Sequence, residues 1–326
     1  MKNIKSRLWK LSLALCAGIV FPAISIALQD GIVLDPSTGN YTIYYGGNQV
    51  VFVPATKVDP VIKSEFKEAE NGTITYQYKI KNGRLAKQAL VGMRMSVSSA
   101  LNGSQATPKD WKGLAEPNIT TNTGFTISWL DWHDDNVAAD LLPGKTRHGF
   151  SIGSKDLPSV VKAEFWGDTM APGFPDEGPD PNSEVGKQFE QLNNNDFVHR
   201  YAVAPLVAVP TPFNAAAVLT AIQHHIDRDL VAMKLIDPVF AAQLDRLLQA
   251  AIAAVNIGNT KAAREDLNEL HRLIESEHKN IDKDDDKGDR DKDKDKSRLI
   301  DKLAARVLVF DLRYVAKRLE GKDKDD

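Results

Sequence analysis

Residues 73–80 read Thr-Ile-Thr-Tyr-Gln-Tyr-Lys-Ile, and this stretch decides the fold class of the first half of the chain. Every second residue is apolar, and the residues between are polar: the apolar set is Ile74, Tyr76, Tyr78 and Ile80. Successive side chains of a β-strand point to opposite faces of the sheet. The stretch therefore predicts a strand with one face in a core and the other in water, ended by the turn residues at 82–83.

Segments of the same character lie on both sides of this strand, from about residue 33 to residue 168. The runs 41–45 and 49–53 are rich in β-branched and aromatic residues and flank Gly46-Gly47-Asn48, which predicts a hairpin. Further strands are predicted at residues 89–97, 125–130, 149–152 and 160–166. Short strands separated by turn signals are typical of an all-β sandwich or barrel, so we assign residues 28–169 to a β-sandwich domain.

Residues 170–212 break this pattern with two groups of prolines. The prolines are Pro172, Pro175, Pro179, Pro181, Pro205, Pro210 and Pro212. Proline restricts the backbone and removes a donor from the sheet ladder, so this region is predicted to be a linker or an irregular flap.

Residues 213–320 carry apolar residues at helical spacing. Asp237-Pro238 predicts an N-cap followed by proline in the first turn of a helix, and Gly258 predicts the end of that helix. The other helices are expected near residues 218–233, 260–278 and 297–315. Because each amphipathic helix buries little apolar surface alone, they are predicted to pack together. The expected fold class is thus multidomain: an all-β sandwich followed by a small α-helical bundle.

An insert at residues 280–296, nearly all Asp and Lys, separates the last two helices and is predicted to be disordered. The charged tail at 321–326 has the same character. Residues 282–288 superficially resemble a calcium loop, but Lys287 holds the position where an EF-hand needs glycine. Whether the insert binds calcium stays open at this point.

The first 27 residues have the pattern of a secretory signal peptide. Four basic residues precede an apolar run over residues 11–27, which ends in Ser25-Ile26-Ala27. We therefore expect cleavage near Ala27, a secreted or periplasmic protein, and no transmembrane anchor. The single cysteine, Cys16, lies in this segment, so the mature chain is expected to contain no disulfide and no Cys-ligated zinc.

The overall charge is mildly acidic. The chain has 41 basic and 44 acidic residues, a net charge of -3, and removal of the signal peptide makes it more negative. This balance argues against a nucleic-acid partner. The Gly-x-Ser-x-Gly pattern occurs once, at residues 149–153, but it lies in a predicted strand and not at the strand-to-helix turn of a nucleophile elbow. The chain has no His-Glu-x-x-His motif and no Cys-His pair, so we predict no catalytic residues, no cofactor and no enzyme activity. A pair of glycosidase carboxylates remains compatible with the many acids.

Residues 129–135, Trp-Leu-Asp-Trp-His-Asp-Asp, form the most suggestive local cluster. Indole rings stack on sugars, and carboxylates and imidazole bind cations. The predicted ligand-binding residues are Trp129, Asp131, Trp132, His133 and Asp134. In the alternative interpretation, Trp129 enters the core and the acids form a turn.

A second candidate, His224-His225 with Asp227 and Asp229, is disfavoured as a metal site. Ligands on one helix face need a spacing of three or four residues, whereas adjacent histidines point about 100° apart. A solvated helix face is the favoured interpretation, and the sequence leaves any metal site of this protein unknown.

The helical half resembles the FIMAH domain, a helical module at the C-terminus of some exported bacterial proteins. The resemblance covers residues 221–319 and rests on Ile236-Asp237-Pro238, the run Leu-Asp-Arg-Leu-Leu-Gln-Ala-Ala at 244–251, Gly258-Asn259, Ala262-Ala263 and Leu267. The Asp/Lys insert stands where family members have a short turn. The resemblance implies an interaction module that binds a protein or cell-envelope partner, and it transfers no catalytic residue. A helical hairpin similar to tetratricopeptide units is the alternative, although no second copy follows at a fixed period.

The sandwich half has a general likeness to fibronectin- and immunoglobulin-type domains, carried by residues 76–83 and 142–150. Together these features favour an exported, non-enzymatic protein with a binding or scaffold sandwich and a helical interaction module. The alternatives are a carbohydrate-binding or carbohydrate-active extracellular protein, with polysaccharide as a partner, and a structural surface or matrix component.

Overall fold

The computed structural model describes residues 29–98, 105–117, 124–131, 140–168, 173–277 and 299–322. The predicted signal peptide, the Asp/Lys insert and the start of the last predicted helix, at residues 297–298, lie outside these residues. So do the last four residues of the predicted charged tail, whose first two belong to the final helix.

Twelve strands of the described chain form three antiparallel sheets. A three-stranded sheet contains β1 (Gly31–Asp35), β2 (Asn40–Tyr45) and β3 (Asn48–Phe52) in that order. A four-stranded sheet has the order β4-β5-β10-β7, with β4 Pro60–Glu68, β5 Ile74–Asn82, β10 Thr146–Ser154 and β7 Gln105–Ala106. A five-stranded sheet has the order β12-β11-β6-β9-β8, with β12 Val198–Val207, β11 Leu157–Gly167, β6 Leu90–Val97, β9 Phe125–Asp131 and β8 Trp111–Pro117.

The four- and five-stranded sheets pack face to face as a sandwich. Strand β5 alternates as predicted, with Tyr76 and Tyr78 buried and the residues between them turned outward. The Tyr78 hydroxyl donates a 2.8 Å hydrogen bond to the carbonyl of Val203 in the other sheet, and Phe150 meets Trp129 across the core with ring centroids 5.9 Å apart. The predicted β-sandwich is therefore confirmed.

The predicted hairpin at 41–53 is present, but it does not join the sandwich. It pairs with β1 in the three-stranded sheet, and helix α1 (Glu184–Asn194) covers that sheet. A separate small core results, built from Ile43, Tyr45, Val50, Phe52 and Val185.

The prediction of a linker over residues 170–212 is wrong for much of its length. It contains α1 and also β12, which runs antiparallel to β11. The segment 198–207 reads Val-His-Arg-Tyr-Ala-Val-Ala-Pro-Leu-Val and buries Ala202, Val203 and Ala204 completely. Strand β12 is an edge strand, where a proline is tolerated because one side of the strand needs no ladder partner. The prolines of this region, including Pro205 within the strand itself, thus concealed a strand of the main sheet.

The C-terminal helices are α2 (Ala215–His224), a π-helical turn (His225–Leu230), α3 (Pro238–Asn256), α4 (Thr260–Glu277) and α5 (Lys302–Lys322). The predicted cap is confirmed, because the Asp237 carboxylate accepts hydrogen bonds from the amides of Val239 (2.8 Å) and Phe240 (3.2 Å). Gly258, with φ +75°, follows the end of α3 as predicted.

The helices do not form a bundle with a core of its own. Helix α5 packs against β11, and α2 packs against β12 and α5. One hydrophobic core runs without a break from the sandwich through all five C-terminal helical segments. The apolar stripes were predicted to face one another, but those of α2 and α5 are shared with the sheets.

Candidate functional site

Trp129, the first residue of the predicted binding cluster, belongs to the core. Its side chain is 0% exposed, and its ring lies 5.6 Å from that of Tyr78 between centroids. A ligand at the surface cannot reach it, so its assignment to a binding site is wrong, and the alternative interpretation holds for this residue.

Of the other predicted binding residues, the structure describes only Asp131. Asp131 ends β9, where its backbone lies opposite Trp111 in β8. Trp132, His133 and Asp134 lie outside the described residues, so their role stays a prediction.

The predicted solvated face holds for His224 and Asp227, which are exposed, but not for His225. His225 is 3% exposed; its Nδ1 lies 2.9 Å from a carboxylate oxygen of Asp229, and its Nε2 accepts a 3.3 Å hydrogen bond from the amide of Val160 in β11. The hydrogen bond to His225 lowers the pKa of Asp229. Both ring nitrogens are thus engaged: Nδ1 makes a contact within the π-helical turn, and Nε2 holds that turn to the sheet. Among the described residues, no group of three or more His, Cys, Asp or Glu side chains could hold a metal ion.

A different surface gathers polar side chains: the outward face of the four-stranded sheet, called here the outer sheet face. It comprises Lys63, Glu65 and Lys67 of β4, Thr75, Gln77, Lys79 and Lys81 of β5, and His148 and Ser151 of β10. The strand register aligns them in rows, with Glu65 opposite Gln77 and Gln77 opposite Ser151. The alternation that buries Tyr76 and Tyr78 forces these neighbours outward.

Two adjoining depressions cross this face. The first, of about 930 Å³, lies between β4 and α5, and Arg306, Phe310 and Arg313 form its helical wall. The second, of about 500 Å³, lies over β5 and β10. Both are lined by Glu65 and Gln77, so they form one continuous groove from the helix to the far side of the sheet.

An irregularity in β10 shapes the second depression. The register with β5 shifts between Arg147 and Phe150, which places His148 and Gly149 in a β-bulge. Gly149 has φ +98°, a conformation that L side chains rarely adopt. Bulges of this kind bend a strand and redirect side chains, and this one exposes His148 at the edge of the depression.

The charge of the groove is unbalanced. On β4 and β5 the outer sheet face carries four lysines and one glutamate, within a chain whose net charge is -3. Glu65 already lies 3.7 Å from Lys63. Within the described part of the chain, the exposed side chains of Lys67, Lys79 and Lys81 have no carboxylate partner.

The helical wall, in contrast, has its charges paired. Arg313 lies 3.2 Å from Glu275, and Glu68 accepts a hydrogen bond from Arg318 at 3.1 Å. Arg306 donates to the carbonyl of Ser64 and lies over the Phe66 ring, 5.0 Å from its centroid. Arg306 and Arg313 of the wall are therefore engaged. The lining of the groove also contains the acids Glu65, Glu68 and Glu70, and its exposed lysines without a carboxylate partner among the described residues are Lys67 and Lys79, both on the sheet.

A separate cleft of about 520 Å³ lies where α1 meets the three-stranded sheet. Tyr41, Gln188 and Gln191 line it. Its carboxylate, Asp196, is engaged, because it accepts a 2.6 Å hydrogen bond from the amide of Ala55, while burial raises its pKa. We regard this cleft as part of the packing of the small core.

The sequence held a partial signal for the outer sheet face. The alternation at 73–80 predicts that Thr75, Gln77 and Lys79 face water, but it does not predict their neighbours. Strand β4 was not identified, and the pairing of β5 with β10 joins residues more than 60 positions apart. Sequence reasoning therefore missed this surface.

No family model and no curated protein sequence matches the chain. The FIMAH resemblance of residues 221–319 thus stays a prediction. The solved structures similar to it include an uncharacterized protein from Nocardia farcinica with an immunoglobulin-like fold, at 10% sequence identity and a TM-score of 0.28. That match covers 45% of this chain and 98% of the other. The strand pairing itself, and not this similarity, defines the fold. No helix in the described residues is long and apolar enough to cross a membrane.

Proposed function

We propose that this protein is exported and acts as a non-enzymatic binding protein whose binding surface is the groove formed by the outer sheet face and α5. The pattern of residues 1–27 supports export. The single observation that carries the binding role is the continuous groove of two depressions, along which the exposed Lys67 and Lys79 have no carboxylate partner in the described part of the chain.

The position of α5 supports a surface to which sheet and helix both contribute. Its Phe310 meets Phe66 of β4 edge-to-face, with ring centroids 5.1 Å apart. Together with the Arg306–Ser64 hydrogen bond, this contact fixes the wall relative to the sheet. A preformed surface loses little conformational entropy on binding, which favours affinity.

The test is a capture experiment with the purified protein on extracts of the producing cells and their medium. The groove variant is Lys79→Glu, and the matched control is Lys162→Glu, an exposed lysine of β11 in the other sheet. Captured protein and captured carbohydrate are both measured, after elution with salt.

We expect capture by the native protein and the control variant, and a clear loss with Lys79→Glu. Equal capture by all three proteins would contradict the groove as the binding surface. Breakdown of a captured polymer would instead indicate a carbohydrate-active enzyme, and capture of the protein itself would indicate a matrix component.

A further inference from the structure

We propose that the outer sheet face binds a linear anionic polysaccharide, one that carries carboxylate or sulfate groups along its chain. The inference names the ligand class of the binding function proposed above and rests on it. Three features of the groove carry it: its charge, its hydrogen-bonding groups and its length.

The charge of the groove fits an anion. Lys63 and Lys79 lie directly opposite each other in the β4–β5 register, an arrangement of like charges that destabilises a sheet. Both line the second depression, together with His148. Glu65, 3.7 Å from Lys63, offsets this repulsion on the β4 side, and an anionic group bound beside Lys79 would offset it further. Because these side chains reach into solvent, the attraction would weaken as salt is added.

The groups between the lysines fit a ligand rich in hydroxyls. Thr75, Gln77 and Ser151 line the groove and supply hydroxyl and amide groups, which both donate and accept hydrogen bonds. A neutral sugar hydroxyl is matched by such groups, whereas a bare anion needs donors only. Along β4 and β5, the row with Lys63 and Lys79 is followed by the row with Glu65 and Gln77, and then by the row with Lys67 and Thr75.

The length of the groove fits a polymer. Neighbouring strands lie about 4.8 Å apart, so the four strands of this sheet, in the order β4-β5-β10-β7, span about 14 Å. Helix α5 extends the surface further. Ala106 of β7 lies at one end and Arg313 of α5 at the other. A single small anion would occupy one depression and leave the other unused.

The state of the aromatic rings counts against single-stranded nucleic acid as the ligand. Single-stranded nucleic acid is held by exposed aromatic side chains on which bases stack. The two rings that line the depression beside α5, Phe66 and Phe310, are half-buried and pack against each other, and Arg306 covers one face of Phe66. They offer no open platform to a base.

The test is isothermal titration calorimetry of the purified protein with polygalacturonate, a linear polyuronate, at increasing salt. Neutral dextran and a single-stranded DNA oligonucleotide are titrated in parallel. The variants are Lys79→Gln and Lys63→Gln, and the control is Lys162→Gln in the other sheet. Circular dichroism and thermal unfolding show that each variant is folded.

We expect binding of polygalacturonate that falls with salt and weakens about two- to fivefold in each groove variant, with no change in the control. Absence of polygalacturonate binding, equal binding of dextran, tighter binding of the DNA, or equal weakening in Lys162→Gln would each overturn the inference. If the capture experiment still shows a protein lost with Lys79→Glu, the proposed binding function stands and only the ligand class fails.

Discussion

The interior beneath α5 and the outer sheet face both contain titratable side chains without partners among the described residues, but one of these side chains is buried and the other is exposed to water. Asp311 of α5 is 1% exposed, and neither carboxylate oxygen has a hydrogen-bond partner in the described structure. Burial raises its pKa well above the usual value, which favours the neutral form. Lys79 on the outer face stays in water. Burial thus favours the neutral form of the unmatched carboxyl group in the core, whereas the unmatched lysine at the surface is solvated by water.

The neighbours of Asp311 complete this picture. Tyr76 donates a 2.7 Å hydrogen bond to the carbonyl of Asp156, and burial together with the nearby Asp311 raises the pKa of the Tyr76 hydroxyl. The Asp156 carboxylate accepts hydrogen bonds from Ser98 and from the amide of Val209 at 3.1 Å. This interior contains one satisfied carboxylate and one unsatisfied carboxyl.

The largest expected effect tests whether Trp129 belongs to the interior. Trp129→Ala should lower the free energy of unfolding by about 3–5 kcal/mol, because it removes a fully buried indole from the sandwich core. Urea unfolding followed by circular dichroism measures the change. A loss below about 1 kcal/mol would place Trp129 at the surface and return it to the candidate binding residues.

The next effect tests the unmatched carboxyl. Asp311→Leu should raise the free energy of unfolding at pH 7 by about 2 kcal/mol, because a buried polar group without a partner is costly. The pKa of Asp311 is raised by folding, so the folded state retains a proton that the unfolded chain loses above its model value of 3.8. Native stability therefore declines as pH rises through and above that value.

A comparison of the Asp311→Leu variant at two pH values serves as the control for this prediction. The stabilisation by Asp311→Leu should be larger at pH 7 than at pH 3, where Asp311 is protonated in both states. Urea unfolding at the two pH values measures this difference. Equal or opposite changes would mean that the carboxyl is satisfied in solution, and the contrast with the outer face would fail.

The smallest effect concerns the outer face. Lys79→Gln should change the free energy of unfolding by less than about 0.5 kcal/mol, with any change towards greater stability, because it removes the repulsion from Lys63. Lys162→Gln, which lies opposite Tyr201, lacks such a neighbour and should be neutral. Thermal unfolding at low salt compares the two. A stability loss above 1 kcal/mol would show that Lys79 serves the fold and not a ligand.

Local signals in the sequence predicted local structure well. The alternation at 73–80 matches β5, the glycine turn at 46–48 matches the β2–β3 hairpin, and the cap at Asp237 begins α3. The candidate binding site was predicted less well. A tryptophan beside acidic residues has the composition of a sugar site, yet composition does not predict which face of a strand points inward when the alternation around it is irregular.

A strand or helix was predictable from the sequence where a regular spacing of apolar residues is followed or preceded, within a few residues, by a turn or helix-cap residue. Three features followed only from the packing of the folded chain. The hairpin forms its own sheet, and β12 completes the main sheet within the proline-rich region. The helices share the core of the sandwich. The tertiary structure also decided the outer sheet face, by placing Gln77 between Glu65 and Ser151. The physical reason is that side-chain alternation is a property of one strand, whereas pairing and register depend on distant segments that must bury their apolar faces together.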